Sequence, residues 1–220
     1  MDDPSALIIG HSFVKRYNKW IGSREKMAPP TLGHICSRVT NLQMIGIGGM
    51  MSSQLHCDDF IFQASKFDLV VIDCGTNDLA RNKDPKEVVN NVFLFARRCL
   101  EGGTKMAVVT SIIPRARNIH GTTDDFRRLM DDYNTRMMAQ CIKEKRMMFH
   151  THKGFKQQVD GITDQPVNMW SHDGIHPSPS RKQQGLRSGM EKYHQSIRTA
   201  LHRAVHRLNH MEKVTQHIYL

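Results

Sequence analysis

The sequence lacks three features, and each absence excludes a class of protein. No apolar run in the 220 residues approaches the roughly 18 consecutive residues that a membrane-spanning helix needs, so no membrane span is expected. The five cysteines are widely spread and form no C-x-x-C pair, which argues against a disulfide framework or a zinc site. No internal repeat, low-complexity tract or Gly/Ser-rich linker divides the chain. We therefore predict a single domain over residues 1–220.

The N-terminal residues also lack the pattern of a secretory signal. The stretch MDDPSALIIG has acids where a signal peptide carries basic residues, and its apolar part is too short. If this is the natural N-terminus rather than the edge of a fragment, it predicts an intracellular, cytoplasmic protein. Reduced, unpaired cysteines agree with that location.

Negative charge is the scarcer sign in this chain. Lys and Arg total 31 against 21 Asp and Glu, which gives a formal net charge of +10. A strongly basic domain attracts polyanions, so nonspecific binding of nucleic acid or of an anionic surface is one prediction. The alternative is that the scattered cations serve solubility alone.

Apolar runs of strand length alternate with segments of helical period. This alternation predicts a parallel sheet with crossover helices. The predicted strands are Leu7–Ile9, Asn41–Gly49, Leu69–Ile72, Lys105–Ile113 and Arg146–His150.

Three long helices are predicted between and after these strands. One starts at Pro85 and ends before Gly102, and a second is capped by Thr123 or Asp124. A basic final helix is predicted over about residues 180–208, followed by a short tail. Together these elements predict an α/β fold, a three-layer α/β/α sandwich around a five-stranded parallel sheet.

Three of the predicted strands end in glycine-rich or polar residues. These are GHS at 10–12, GIGG at 46–49 and GTND at 75–78. Far downstream, the stretch SHDGIHPS places Asp173 three residues before His176. Because ligand sites in open parallel sheets form beyond the carboxyl ends of the strands, we expect these segments to lie together.

These segments contain the parts that acyl transfer needs. A serine hydroxyl becomes a strong nucleophile when an imidazole removes its proton, and the imidazole needs an acceptor on its other nitrogen. Ser12, His176 and Asp173 are the candidates for these three roles. The N–H groups of Ser12 and Gly49 and the side-chain amide of Asn77 are candidates for an oxyanion hole.

The four segments, in this order, resemble the SGNH (GDSL-type) hydrolases, a family named for its Ser, Gly, Asn and His. The likeness spans nearly the whole chain, and GIGG and GTN are especially similar to the intracellular platelet-activating-factor acetylhydrolase branch. The resemblance implies a flavodoxin-like sandwich and ester or thioester hydrolysis without a metal or other cofactor. It implies that Ser12 is the nucleophile, His176 the base and Asp173 its orienting acid, with Ser12, Gly49 and Asn77 as oxyanion donors.

One position departs from the pattern of this family. The first segment of the family is usually Gly-Asp-Ser, and His11 stands here in place of the aspartate. The usual aspartate helps to order the surrounding loops, so we expect His11 to change that local arrangement and to bring a second ionisable group near Ser12.

Each candidate also has a structural interpretation. Ser12 is a suitable N-cap for a helix that begins at Phe13, Asn77 a suitable turn residue, and His176 a suitable loop histidine. We interpret Asp78 as structural.

The 13 histidines and 14 methionines leave further alternatives open. His202, His206 and His210 fall four apart, and His150 and His152 project to one side of a strand, so divalent metal ligation is geometrically feasible in both groups. Neither group has a matching cysteine or carboxylate, which favours solvated faces. Most methionines are expected in the core, with Met50 or Met51 as candidates for an apolar acyl pocket.

Three functions are compatible with these observations. The first is a serine esterase that hydrolyses a small acyl ester, acetyl or short-chain, through an acyl-enzyme. The second is a basic, nucleic-acid-associated module on an esterase fold, because the stretch GHSFVKR resembles the esterase-like domains in the first open-reading-frame proteins of some LINE-type retrotransposons. The third is a catalytically weak pseudoenzyme. Residues 18–34 and 153–169 lack strong periodicity and are expected to shape the substrate site.

Overall fold

A five-stranded, all-parallel sheet lies at the centre of the protein, in a computed structural model that describes residues 3–25, 36–118, 120–155, 169–180 and 187–218. The strands are β1 (Ala6–Gly10), β2 (Leu42–Gly46), β3 (Leu69–Asp73), β4 (Met106–Thr110) and β5 (Met147–His150). Their order across the sheet is β2-β1-β3-β4-β5, and every pair is parallel. This is the flavodoxin-like order, so the predicted fold class is confirmed.

Helices cover both faces of this sheet. They are α1 (Ser12–Glu25), α2 (Asp58–Ala64), α3 (Thr76–Ala80), α4 (Pro85–Glu101), α5 (Thr123–Lys143) and α6 (Gly189–Ile218). A short 3₁₀ helix, Ser52–His56, precedes α2. None of the helices within the described ranges is long and apolar enough to cross a membrane.

Two hydrophobic clusters divide the core, one on each side of the sheet. Ile8 and Val71 pack on the side of α1 and α6, whereas the alternate residues Leu7 and Val70 pack on the side of α2, α4 and α5. Successive strand side chains point to opposite faces, so a strand covered on both sides must be apolar throughout. This is why the central strands were visible as continuous apolar runs, and β1, β3 and β4 are buried along their full length.

Two helix starts differ from the predictions. Thr122 caps α5, because its hydroxyl accepts the Asp125 N–H at 3.0 Å, so neither Thr123 nor Asp124 is the cap. The final helix, α6, starts at Gly189 and not near residue 180. Ser188 and Glu191 form a capping box there: the Ser188 hydroxyl accepts the Glu191 N–H at 3.1 Å, and the Glu191 carboxylate accepts the Ser188 N–H at 2.8 Å.

Helix α6 also extends beyond its predicted end at Leu208. It continues to Ile218, so residues 209–218 are helical and not a tail. A stripe that includes Tyr193, Ile197 and Leu201 is buried against the sheet over its first half. This burial holds the helix in place, because packing of an apolar face contributes more to helix stability than local propensity does.

The histidines at the end of β5 are buried, so the interpretation of solvated faces is wrong for His150 and His152. Each is 3% exposed, and both ring systems lie against the hydroxyl of Ser196, with His150 Nε2 at 2.9 Å and His152 Nδ1 at 2.8 Å. The His152 ring also stacks on Tyr193. Among the described residues, no group of three or more His, Cys, Asp or Glu side chains could hold a metal ion.

Candidate active site

Ser12 lies where β1 turns into α1, at the carboxyl edge of the sheet. The turn is tight because β1 approaches β3 closely: a Cβ at Gly10 would lie 2.1 Å from the Asp73 carbonyl oxygen, so only glycine fits there. The side chain that accepts from the first turn of α1 is His11, whose Nδ1 receives the Phe13 N–H at 3.3 Å. The Ser12 hydroxyl lies instead 2.9 Å from His176 Nε2.

The three side chains predicted to cooperate are in contact. Besides the pair formed with Ser12, His176 Nδ1 lies 2.8 Å from Asp173 Oδ2. The other carboxylate oxygen of Asp173 accepts the N–H groups of Ile175, at 2.9 Å, and His176, at 3.0 Å. Ser12 and His176 are 164 residues apart in the chain, and only the fold brings them together.

The charges around His176 suit an imidazole that accepts a proton. Partial burial alone would raise the pKa of Asp173, but the N–H donors of His176 and Ile175 and the imidazole itself lower it to about 2. Desolvation lowers the pKa of His176, and Asp173 opposes this effect while Arg16 and Arg115 add to it. The pair is therefore a carboxylate beside a neutral imidazole near neutral pH, the state that a general base requires.

The segment after β4 holds the loop that carries Asp173 and His176. The Gly174 carbonyl accepts the N–H groups of Ala116, at 2.8 Å, and Arg117, at 3.0 Å. Gly174 has a φ of +65° and packs against Arg117, where a Cβ would lie 2.8 Å from the Arg117 Cβ. A side chain at this position would thus be strained twice, by backbone conformation and by space.

Gly49 and Asn77 lie in the segments that follow β2 and β3. Gly49 has a φ of +76° and open space around its Cα. The Asn77 amide is fixed at both ends: its Nδ2 donates to the Met50 carbonyl at 2.9 Å, and its Oδ1 accepts from Arg115 Nη2 at 3.1 Å. One Nδ2 hydrogen thus remains for a ligand.

Asp78 connects the same segment to the 3₁₀ helix through Ser52. Its carboxylate accepts both the N–H of Ser52, at 3.0 Å, and the Ser52 hydroxyl, at 2.7 Å. Burial raises the pKa of Asp78, although the Ser52 donors oppose that shift. Met50 is buried, and its carbonyl accepts the hydrogen bond from Asn77. Neither Met50 nor Met51, the candidates for an acyl pocket, is among the described residues that line the groove at Ser12.

A groove of about 490 Å³ opens at these residues. Its described lining contains the predicted Ser12, Gly49, Asn77 and His176 together with Lys15, Arg16, Lys19, Gly48, Arg115 and Ile175. None of its four cationic residues was predicted as part of the site. Arg115 follows the carboxyl end of β4, so the strand-end rule that identified the other segments would have found it.

His11, which replaces the usual aspartate, points into the core and away from this groove. Its Nε2 lies 3.3 Å from Asp73 Oδ1, and the Tyr193 hydroxyl donates to the other oxygen of the same carboxylate. Burial would raise the pKa of Asp73, yet the histidine and tyrosine partners lower it to about 2. His11 therefore ties the β1 end to β3 and α6 directly beneath the Ser12 turn.

The two stretches expected to shape the substrate site are only partly described. Residues 18–25 belong to α1, which is a helix and not the irregular loop that was expected. Residues 26–34 and 156–168 lie outside the described residues.

The sequence and the fold match known proteins. A model of the GDSL-like lipase/acylhydrolase family matches residues 8–181. A GDSL-like lipase from Bacteroides thetaiotaomicron superposes with a TM-score of 0.63 at 18% identity, covering 91% of this chain and 88% of the other. No curated protein sequence matches the chain.

Two further solved structures share the fold. An acetyl-xylooligosaccharide esterase from Geobacillus Stearmophilus superposes with a TM-score of 0.61 at 18% identity, covering 93% of this chain and 94% of the other. A Streptococcus pneumonia protein named for platelet-activating factor superposes with a TM-score of 0.53 at 15% identity, covering 92% and 84%.

Proposed function

Because the chain belongs to the GDSL-like lipase/acylhydrolase family and is an ester-hydrolysing serine hydrolase, we propose that it removes a small acyl group, acetyl or short-chain, through an acyl-enzyme on Ser12. The observation that carries the proposal is the hydrogen-bonded chain from Ser12 through His176 to Asp173. A serine used only as a helix cap would not need an imidazole whose second nitrogen is bound to a carboxylate.

In this proposal Ser12 Oγ attacks the ester carbonyl carbon while His176 Nε2 takes the hydroxyl proton. The tetrahedral intermediate collapses when the bond to the alcohol oxygen breaks, and His176 returns the proton to that oxygen. A water molecule then repeats the attack on the acyl-enzyme with His176 again as base, which releases the acid and restores the Ser12 hydroxyl. Asp173 keeps its charge throughout and stabilises the imidazolium.

The oxyanion that forms in both steps needs donors that are already in place. We assign this role to the Ser12 and Gly49 N–H groups and to the free Nδ2 hydrogen of Asn77. Hydrogen bonds to Arg115 and to the Met50 carbonyl fix the orientation of the Asn77 amide. The amide therefore does not need to reorient when negative charge develops in the transition state.

The described lining of the groove supports a short acyl chain. Ile175 is its one apolar side chain, so a long hydrocarbon chain would find little surface to bury. The solved acetyl-xylooligosaccharide esterase with the same fold supports an acetyl ester as the first substrate to test.

Replacing Asn77 with alanine tests the oxyanion role. We expect kcat for p-nitrophenyl acetate to fall about 100-fold with little change in KM, because a donor that acts only on the developing charge stabilises the transition state. Steady-state kinetics checks this, with Asn90→Ala on the exposed face of α4 as the control. A rise in KM at unchanged kcat would contradict the assignment.

Labelling with a fluorophosphonate probe tests the proposed function itself. We expect one adduct per chain, mapped to Ser12 by peptide mass spectrometry, because only an activated serine attacks the probe. Ser12→Ala abolishes the adduct, whereas Ser23→Ala, an exposed serine of the same helix, keeps it. A folded wild-type protein that takes no label would contradict the proposed acyl-enzyme on Ser12.

We further propose that residues 1–220 form one domain that acts inside the cell. The core on both sides of the single described sheet supports one domain, and five free cysteines, four of them buried, support a reducing compartment. Association with nucleic acid through the net positive charge stays a prediction.

A further inference from the structure

The groove at Ser12 carries an unusual excess of positive charge. Lys15, Arg16, Lys19 and Arg115 line it, and the described lining contains no carboxylate. Arg115 fixes the Asn77 amide and Arg16 contacts Asp173, but the chemistry assigned above to a neutral ester gives Lys15 and Lys19 no role. The cations therefore call for a ligand of opposite charge.

Three of the cations lie on the same face of α1 as the nucleophile. Lys15, Arg16 and Lys19 follow Ser12 at spacings of three, four and seven residues, which are the spacings of one helix face. With a rise of about 1.5 Å per residue, they extend from about 5 to about 10 Å along the axis from Ser12. If the ester carbonyl lies at Ser12 and the alcohol portion extends along α1, atoms a few bonds beyond the ester oxygen lie among these side chains.

The four cations differ in how far protein groups already neutralise them. Arg16 Nη2 lies 3.3 Å from Asp173 Oδ2, so its charge is partly balanced. Lys15 and Lys19 are exposed, and neither has a carboxylate within ion-pair distance in the described part of the chain. These two lysines are therefore the cations of the groove best able to bind an anionic group of a ligand.

Arg115 adds a buried charge to the same groove. It is 3% exposed, its Nε donates to Thr76 at 3.1 Å and its Nη2 to Asn77. Burial lowers its pKa to about 10, so it stays protonated at neutral pH. Its contacts leave Nη1 without an acceptor among the described residues, so a substrate oxygen would complete its hydrogen bonding.

We propose that the substrate is an ester whose alcohol portion carries an anionic group, phosphate or carboxylate, which Lys15 and Lys19 bind. This inference rests on the proposed function, because it assigns a substrate class to the same site. The proposed acetyl or short acyl group spans less than the distance of about 5 to 10 Å to these lysines, so in this proposal the alcohol portion carries the charge.

Matched ester pairs test this on the wild-type protein. One pair is 1-acetylglycerol and 1-acetylglycerol 3-phosphate, and the other is 3-acetoxypropanamide and 3-acetoxypropanoate, with acetate release as the readout. We expect kcat/KM to be about tenfold higher for the charged member at low salt, the size that two exposed ion pairs support. The preference shrinks as NaCl is added, because salt screens exposed charges. A preference in the phosphate pair alone identifies phosphate as the recognised group, and equal preferences identify charge alone.

Substitutions assign the preference to the two lysines. The double variant Lys15→Gln/Lys19→Gln brings the ratio of the two kcat/KM values close to one, mainly through KM for the charged ester, and Lys15→Arg/Lys19→Arg restores it. Lys83→Gln/Lys86→Gln removes the same charge at an exposed site near the start of α4 and keeps the preference.

The outcomes separate this inference from the proposed function. If the probe labels Ser12 and neutral esters are hydrolysed as fast as charged ones, or if the glutamine variant keeps a salt-sensitive preference, the anionic substrate class is wrong and the esterase stands. If no ester is hydrolysed and no label is found, both proposals are overturned.

Discussion

Ser12→Ala lowers kcat/KM for p-nitrophenyl acetate by about 10⁴-fold or more, to the level of the uncatalysed reaction plus what oxyanion donors alone achieve. The physical reason is that alanine has no oxygen to attack the carbonyl, and the assigned mechanism has no second nucleophile. Stopped-flow or steady-state release of p-nitrophenolate measures the loss, and circular dichroism verifies that the variant is folded.

His176→Ala gives a loss of similar size, and the double variant loses little more than either single one. Residues that act as one unit are not additive, since removing either partner stops the same proton transfer. Ser23→Ala is the matched control and keeps wild-type activity. Residual activity above about 10% of wild type in folded Ser12→Ala would show that the nucleophile is another group.

Lowering the pH from about 6.5 to about 4.5 reduces the free energy of unfolding by about 4 kcal/mol through His150 and His152 alone. Burial, together with the nearby His152, Arg203 and Lys153, lowers the pKa of His150 to about 3, and Ser196 opposes this effect. Burial also lowers the pKa of His152 to about 4, with Asp73 opposing this and His11 adding to it.

The direction of this effect follows from which state binds protons. In the unfolded chain both histidines have a pKa near 6.5, so they take up protons as the pH falls below that value. In the folded protein His150 stays neutral until the pH falls to about 3, and His152 until it falls to about 4. Their stabilising contribution is therefore complete above pH 6.5 and is lost as the pH falls toward the folded values. Neither His150 Nδ1 nor His152 Nε2 has a hydrogen-bond partner among the described residues, so no described group would accept a hydrogen bond from a proton added there.

Urea unfolding at a series of pH values measures the effect. His150 and His152 together contribute about 3 kcal/mol per pH unit to the wild-type slope near pH 5, close to the value for two protons. His150→Gln/His152→Asn removes that part of the slope, and the remainder includes His176 and His202, whose pKa values burial also lowers. His206→Gln, on the exposed face of α6, is the control and keeps the wild-type slope. A double variant with an unchanged slope would contradict this origin of acid sensitivity.

Much of the candidate site was predictable because short stretches of sequence identify its residues. Ser12 and Asn77 follow strands that are buried along their full length, Gly49 follows the less buried β2, and parallel strands place their carboxyl ends at one edge whatever the order of the sheet. The spacing of Asp173 and His176 is also local, since three residues of a turn suffice to join their side chains. The capping box at Ser188 and Glu191 was local too and could have corrected the start of α6.

By itself, the sequence determined the fold class and the chemical character of the site, because apolar periodicity and residue type at strand ends depend on nearby residues alone. Tertiary structure decided the rest. It turned His11 inward to Asp73, buried His150 and His152 against α6, and brought Arg115 from the end of β4 to the cations of α1. The burial and pKa of a side chain and the net charge of a groove depend on which residues from distant parts of the sequence lie next to each other. Only the tertiary structure determines those neighbours.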